Sequence, residues 1–132
     1  MGTLAQIYKA LSEEIRLRIV MLLIQGELCV CDLMSIFGES QSKISRHLAY
    51  LKHSGLIKGR RVGAWMHYDL KEFPEDLWVN QLNFMKENLF DLNEFRQDRD
   101  ILVELQKQKS CKAAEKSTTS RQNRGSKRTQ SM

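Results

Sequence analysis

Hydrophobic residues in the first half of the chain recur at helical spacing, in short runs separated by serine and glycine. Leu4, Ile7, Tyr8 and Leu11 fall at i, i+3, i+4 and i+7, which predicts a short amphipathic helix. Ser12 is placed to cap a second helix, with Glu13 and Glu14 where the helix dipole favours acids. Ile15, Ile19, Leu22 and Leu23 line one face of it, and Gly26 suits its end. A third helix is short, from about Val30 to Phe37, carried by Val30, Leu33, Met34 and Phe37 and closed by Gly38. Ser40 caps a fourth, from about Gln41 to Ser54, closed by Gly55. Two short helices joined by a glycine-containing turn are the pattern of a helix-turn-helix.

The period then changes. Met66, Tyr68 and Leu70 alternate with Trp65, His67 and Asp69, and Val62-Gly63-Ala64 supplies a turn, so a two-stranded hairpin is expected. Pro74, with Glu75 and Asp76 behind it, opens a long last helix reaching toward Leu105, with room for a break near Asn93. Trp78, Leu82, Met85, Leu89 and Leu92 repeat at alternating spacings of four and three, the seam of a short coiled coil. The body is too small to cover that stripe together with Leu4, Ile7 and Leu11. A homodimer through both terminal helices is therefore expected. The expected fold is mainly α with a small β-hairpin: a winged helix-turn-helix with N- and C-terminal dimerisation helices over residues 1–105. Residues 106–132 turn to Lys, Ser, Thr, Arg and Gln, a composition that predicts a disordered basic tail.

Charge sharpens this picture once it is divided. The net charge is +5, but residues 106–132 hold eight Lys/Arg and one Glu, so residues 1–105 carry thirteen bases and fifteen acids. Within that slightly acidic body, Gln41 to Arg61 contains Lys43, Arg46, Lys52, Lys58, Arg60 and Arg61 and no acid. A local basic patch of this kind marks a polyanion site. The longest apolar run, Ile19 to Ile24, is far shorter than a membrane span, and the first residues lack the features of a signal peptide. A cytoplasmic chain with reduced thiols and no membrane partner is expected.

Projected on a helix, Ile44, Leu48 and Leu51 share the inward face of the fourth helix. Ser42, Arg46 and Ala49 lie opposite, flanked by Lys43 and Ser45. Arginine bonds guanine bidentately, serine and glutamine bond base edges, and alanine permits close approach in a major groove. Residues near the N-terminus of such a helix usually meet the bases. Gln41, Ser42, Ser45 and Arg46 are thus the candidates for base contact in double-stranded DNA, with His47 beside them. Lys43, Lys52, Arg60 and Arg61 are placed for phosphates.

Just upstream lies "ELCVCDLM", in which Cys29 and Cys31 are separated by one residue. Such a pair does not share a face on a regular helix, but it converges where the first residue still lies outside the helix. A thiol at a helix start is acidified by the dipole, and thiolates select soft, thiophilic ions. Two small buried apolar residues are the alternative use of the same pair. His47, His53 and His67 show no metal-ligand spacing, and there are no paired C-x-x-C knuckles for a structural zinc. Redox enzymes normally place C-x-x-C on a βαβ framework, which is absent, so no enzyme and no organic cofactor are expected. A regulator switched by oxidation of the same thiols, with Cys111 as resolving partner, is a second possible use.

"ELCVCDLMSIFGESQSKISRHLAYLKHSGLIKGRRVGAWMHYDL" resembles the core of the ArsR/SmtB family of metal-sensing winged-helix repressors, above all those of arsenical-resistance operons. The resemblance implies a dimer that binds operator DNA and releases it when As(III) or Sb(III) binds thiolates before the recognition helix. Cys29 and Cys31 match the family's paired thiols. Where the arsenic pattern commonly reads Cys-Val-Cys-Asp-Leu-Cys, this chain has Met34 in the last position. A thioether cannot deprotonate, so the resemblance leaves the third ligand to solvent, an exogenous thiol or Cys111. Cadmium- and lead-sensing relatives add N-terminal cysteines, which this chain lacks. Arsenite or antimonite is the expected inducer.

Overall fold

The computed structural model describes the backbone of residues 2–72 and 76–122, and side chains within residues 4–72 and 79–109. Pro74, the side chains of Trp78 and Cys111, and residues 123–132 of the expected tail lie outside the described residues.

The first helix, α1, spans Gly2–Leu11, and α2 spans Glu14–Leu23. Ser12 does not cap α2 as expected: its hydroxyl donates to the Lys9 carbonyl at 2.6 Å, closing α1, and Glu13 takes the N-cap position. A two-residue strand β1, Leu28–Cys29, leads directly into α3, Val30–Phe37. Gly38 ends α3 in the left-handed conformation at φ 64°, its N–H bonding the Met34 carbonyl. Ser40 caps α4, Gln41–His53, by accepting the Lys43 N–H at 3.2 Å. The helix-turn-helix is therefore α3–α4, with the bounds that the pattern predicts.

Strands β2, Ile57–Val62, and β3, Trp65–Leu70, form the hairpin, with Val62 opposite Trp65 across the turn at Gly63. The sheet has three strands rather than the expected two, in the order β1-β3-β2, because β1 pairs antiparallel with β3. The register sets Leu28 opposite Tyr68 and Cys29 opposite His67. The strand carrying the first thiol is thus part of the wing's own sheet.

The expected long helix is two helices, α5 at Asp76–Asn88 and α6 at Asn93–Gln122. The break falls at residues 89–92, so the heptad seam does not run unbroken. The composition change at residue 106 falls inside α6 and does not end it. Helix α6 returns along α2 and α3, burying Phe95 and Leu102 in the common core. Arg18 of α2 holds Asp98 of α6 through two bonds of 2.8 Å and stacks on Phe37 of α3. Ile19, Leu22, Leu33, Ile44, Leu48, Leu51 and Leu56 form the centre of that core. Two residues expected at the dimer seam, Ile7 and Met85, are buried within the chain's own core, while Leu4, Leu11, Leu82 and Leu89 are half-buried. Among the described residues, Tyr8, Val79, Phe84 and Leu92 are the large apolar side chains that α1, α5 and the turn after α5 leave exposed.

A candidate nucleic-acid interface beside a thiol pair

Helix α4 divides as its sequence predicts. Ile44, Leu48 and Leu51 are fully buried, and Gln41, Ser42, Ser45, Arg46 and Ala49 are exposed. Lys43 is half-buried and reaches back to Glu39, 3.2 Å away on the preceding turn. His47 lies on the flank, half-buried, with Nδ1 3.5 Å from Arg16. Arg16 went unnoticed in the sequence, as one of two bases among the apolar residues of α2. It is 9% exposed, donates from Nε to the Ala10 carbonyl at 2.7 Å, and lies 4.0 Å over the Tyr50 ring. It thereby joins the end of α1 to the back of the reading helix. Burial, reinforced by the Arg16 cation, holds the His47 imidazole below its ordinary pKa, so the ring is neutral at pH 7.

The thiols sit at the junction of β1 and α3. Cys29 is the N-cap of α3, in extended conformation with φ −78° and ψ 149°, and its Sγ accepts the Cys31 N–H at 3.2 Å. In return, the Asp32 carboxylate accepts the Cys29 N–H at 3.2 Å, completing a capping box with sulfur in place of the usual hydroxyl. The two Cα atoms are 5.2 Å apart and the two sulfurs are in contact, so the pair converges at the start of the helix as its position in the sequence predicts. Cys29 is buried and Cys31 partly exposed, which leaves one side of the pair open to solvent. The second Asp32 oxygen binds Lys109 of α6 at 2.7 Å. Met34 is half-buried against the core, one turn beyond Cys31. Cys111 lies on α6, two residues past Lys109. Among the described residues no group of three or more His, Cys, Asp or Glu is arranged to hold a metal ion, so the pair supplies two soft donors and not a closed site.

On the wing, Arg61 is exposed and Arg60 is occupied. Glu27 takes Arg60 through both carboxylate oxygens, at 3.0 and 2.8 Å, and its Oε2 lies 3.5 Å from His67. The Arg60 guanidinium holds the Glu27 carboxyl below its ordinary range, and Glu27 raises Arg60 in turn. Glu27 was missed because its partner is thirty-three positions away. Its one sequence signal is that it opens the "ELCVCD" stretch. Tyr68 packs its ring over Gly59, where an added Cβ would lie 2.8 Å from the ring, so only glycine lets the central strand close on β2.

Thus α4 offers exposed hydrogen-bonding side chains, the wing offers cations, and a pair of sulfurs caps the helix between them. The family described as bacterial regulatory protein, arsR family, matches residues 13–58. The arsenical resistance operon repressor of Escherichia coli K12 is 56% identical over 66 residues, 49% of this chain and 56% of the repressor. The arsenic resistance transcriptional regulator ArsR2 of Pseudomonas putida KT2440 is 45% identical over 84 residues, 62% of this chain and 71% of the regulator. A cadmium resistance transcriptional regulatory protein CadC homologue of Staphylococcus aureus is 40% identical over 79 residues, 59% of this chain and 62% of the homologue. The chain therefore spans little more than half the length of the first of these relatives. HlyU from Vibrio cholerae superposes with a TM-score of 0.57 at 32% identity, covering 70% of this chain and 92% of HlyU. The homodimeric winged helix-turn-helix DNA-binding domain Mb0332 from Mycobacterium bovis superposes at 0.55 and 30% identity, covering 70% and 86%. The relatives and the structural neighbours are regulators, not enzymes. With its winged helix-turn-helix and its thiol-bearing α3, the chain belongs to the ArsR family of bacterial regulatory proteins.

Proposed function

We propose that the chain is a cytoplasmic transcriptional repressor of a metalloid-resistance operon. It binds double-stranded operator DNA as a homodimer and leaves it when As(III) or Sb(III) binds Cys29 and Cys31. The observation that carries this reading is the position of the thiols: they cap the helix that packs directly against the reading helix. A ligand that ties the two sulfurs acts on the start of α3, and α4 rests on α3. The arsenic and cadmium relatives support a thiophilic inducer. No helix of the described residues is long and apolar enough to cross a membrane.

The reduced pair fits arsenous acid. Each thiol replaces one hydroxide on arsenic, the thiol proton leaves with that hydroxide as water, and no electrons are exchanged. Two As–S bonds form and two As–O bonds break. The third position falls to hydroxide, an exogenous thiol or Cys111, because the Met34 thioether has no proton to give. Gln41, Ser42, Ser45 and Arg46 meet base edges, and Lys43, Arg60 and Arg61 meet phosphate. His47 supports the helix from behind, against Arg16. The ligand must favour the unbound state by a few kcal/mol, about the size of ordinary allosteric coupling.

The test is a titration of the reduced protein, bound to a labelled duplex from upstream of its own gene. Release at near-stoichiometric arsenite is expected, and cadmium should require a clear excess. Failure of arsenite to release the duplex would refute the metalloid reading. Arsenic absorption spectroscopy on wild type and Cys111→Ser then counts sulfur ligands: a fall from three to two assigns Cys111, and two in both excludes it. The contact between the two sulfurs supports a second reading, in which oxidation of the pair is itself the signal. Release by a mild disulfide-forming oxidant, with no response to arsenite, would select it.

A further inference from the structure

Three residues lie in one row across the wing sheet. Cys29 of β1 pairs with His67 of β3, and His67 pairs with Arg60 of β2. Directly opposed residues in antiparallel strands put their side chains on the same face. Two strand spacings separate the ends of the row, about 10 Å. Glu27, two residues before Cys29, reaches along the same face to bind Arg60 through both oxygens and to approach His67. The thiol and the wing arginine are therefore the two ends of one short, rigid strip, with Glu27 clasping across it. Glu27 opens the six-residue stretch that contains both thiols, so its backbone cannot be indifferent to a tie between Cys29 and Cys31.

The geometry points to Glu27 as a positioning residue that makes the wing's grip on DNA conditional on the thiols. This inference rests on the proposed function and extends it from α4 to the wing. A bidentate carboxylate neutralises Arg60 and occupies the donors that a phosphate would need. In this structure the two sulfurs are drawn together and Arg60 is held. An inducer that ties the same two sulfurs favours the same clasp. With the thiols free, β1 relaxes and a DNA phosphate takes Arg60 from Glu27. Each protomer then gains one phosphate contact when the thiols are free and loses it when they are tied.

The experiment measures affinity of the full, reduced chain for its labelled promoter duplex over a range of KCl, with and without sodium arsenite. One phosphate contact per protomer changes the slope of log K against log salt by about 0.9. Wild type should lose about that much slope per protomer when arsenite is added. Glu27→Gln should show the same slope in both conditions, and its loss of affinity to arsenite should be several-fold smaller. Glu27→Asp should restore most of the difference. Arg60→Gln should resemble Glu27→Gln, and the double variant should go no further than either single one. Protection of the thiols from a maleimide reports arsenite binding separately; should Glu27→Gln fail to bind arsenite, Arg60→Gln, farther from the thiols, decides. Variants that keep the wild-type slope change and the wild-type arsenite response overturn the inference and leave the sensor reading intact. A wild type that arsenite does not release would instead refute the proposed function.

Discussion

His47 shows how a residue beside the reading face serves the fold. Its ring lies against Arg16, and burial with that cation holds its pKa below the ordinary 6.5. The native state therefore resists protonation while the unfolded chain accepts it, so the unfolded state binds more protons and stability rises with pH. Stability should fall as pH drops from 7 through 6.5 toward the lower native value. In His47→Gln that part of the dependence should vanish, as read from urea midpoints at pH 7.5 and 5.5. Equal pH dependence in the variant and the wild type would count against the contact. The sequence placed His47 correctly on α4 and said nothing of Arg16, because their proximity depends on the packing of α2 on α4. The capping pair Cys29 and Asp32 was more accessible, since both members fall within one turn.

At the scale of elements, local punctuation determined what could be read. Gly38 and Ser40 bracket the turn of the helix-turn-helix, and the end of α3 and the start of α4 follow from them. Strand β1 was hidden because two residues cannot display alternation, and its pairing partner lies on β3. The break between α5 and α6 falls near Asn93 as the sequence allowed, but its extent was hidden, because Leu89 and Leu92 continue the heptad spacing straight through it. What fixes α6 is the pair between Arg18 and Asp98, eighty positions apart in sequence. Asp98 is 3% exposed and Arg18 26%. Asp98→Ala should cost about 2–3 kcal/mol, less than a fully buried pair because Arg18 keeps some water. Denaturation of the variant measures it; a loss under about 0.5 kcal/mol would place α6 outside the cooperative unit.

At the scale of the whole molecule, the two functions attributed to the terminal helices separate. Ile7 and Met85 serve the chain's own core, so a partner surface on these helices must use what they leave exposed. Phe84, 57% exposed on α5, is the most exposed large apolar side chain among the described residues. Phe84→Glu should weaken self-association at least tenfold in sedimentation experiments while leaving the helical content unchanged, because it alters an exposed site. Undiminished association would move the dimer surface elsewhere. The proposed dimer would pair two reading helices on two half-sites, so the same variant should lose operator affinity in step with its loss of association.

The central claim is that Cys29 and Cys31 sense and do not read. Its most direct measurement is operator affinity of the Cys29→Ser, Cys31→Ser double variant, with and without arsenite. Serine retains an N-cap acceptor, so α3 and the reading helix should stay in place. Affinity within about threefold of wild type, with no response to arsenite, is the predicted result. Loss of DNA binding without arsenite, or release by arsenite as in wild type, would contradict it.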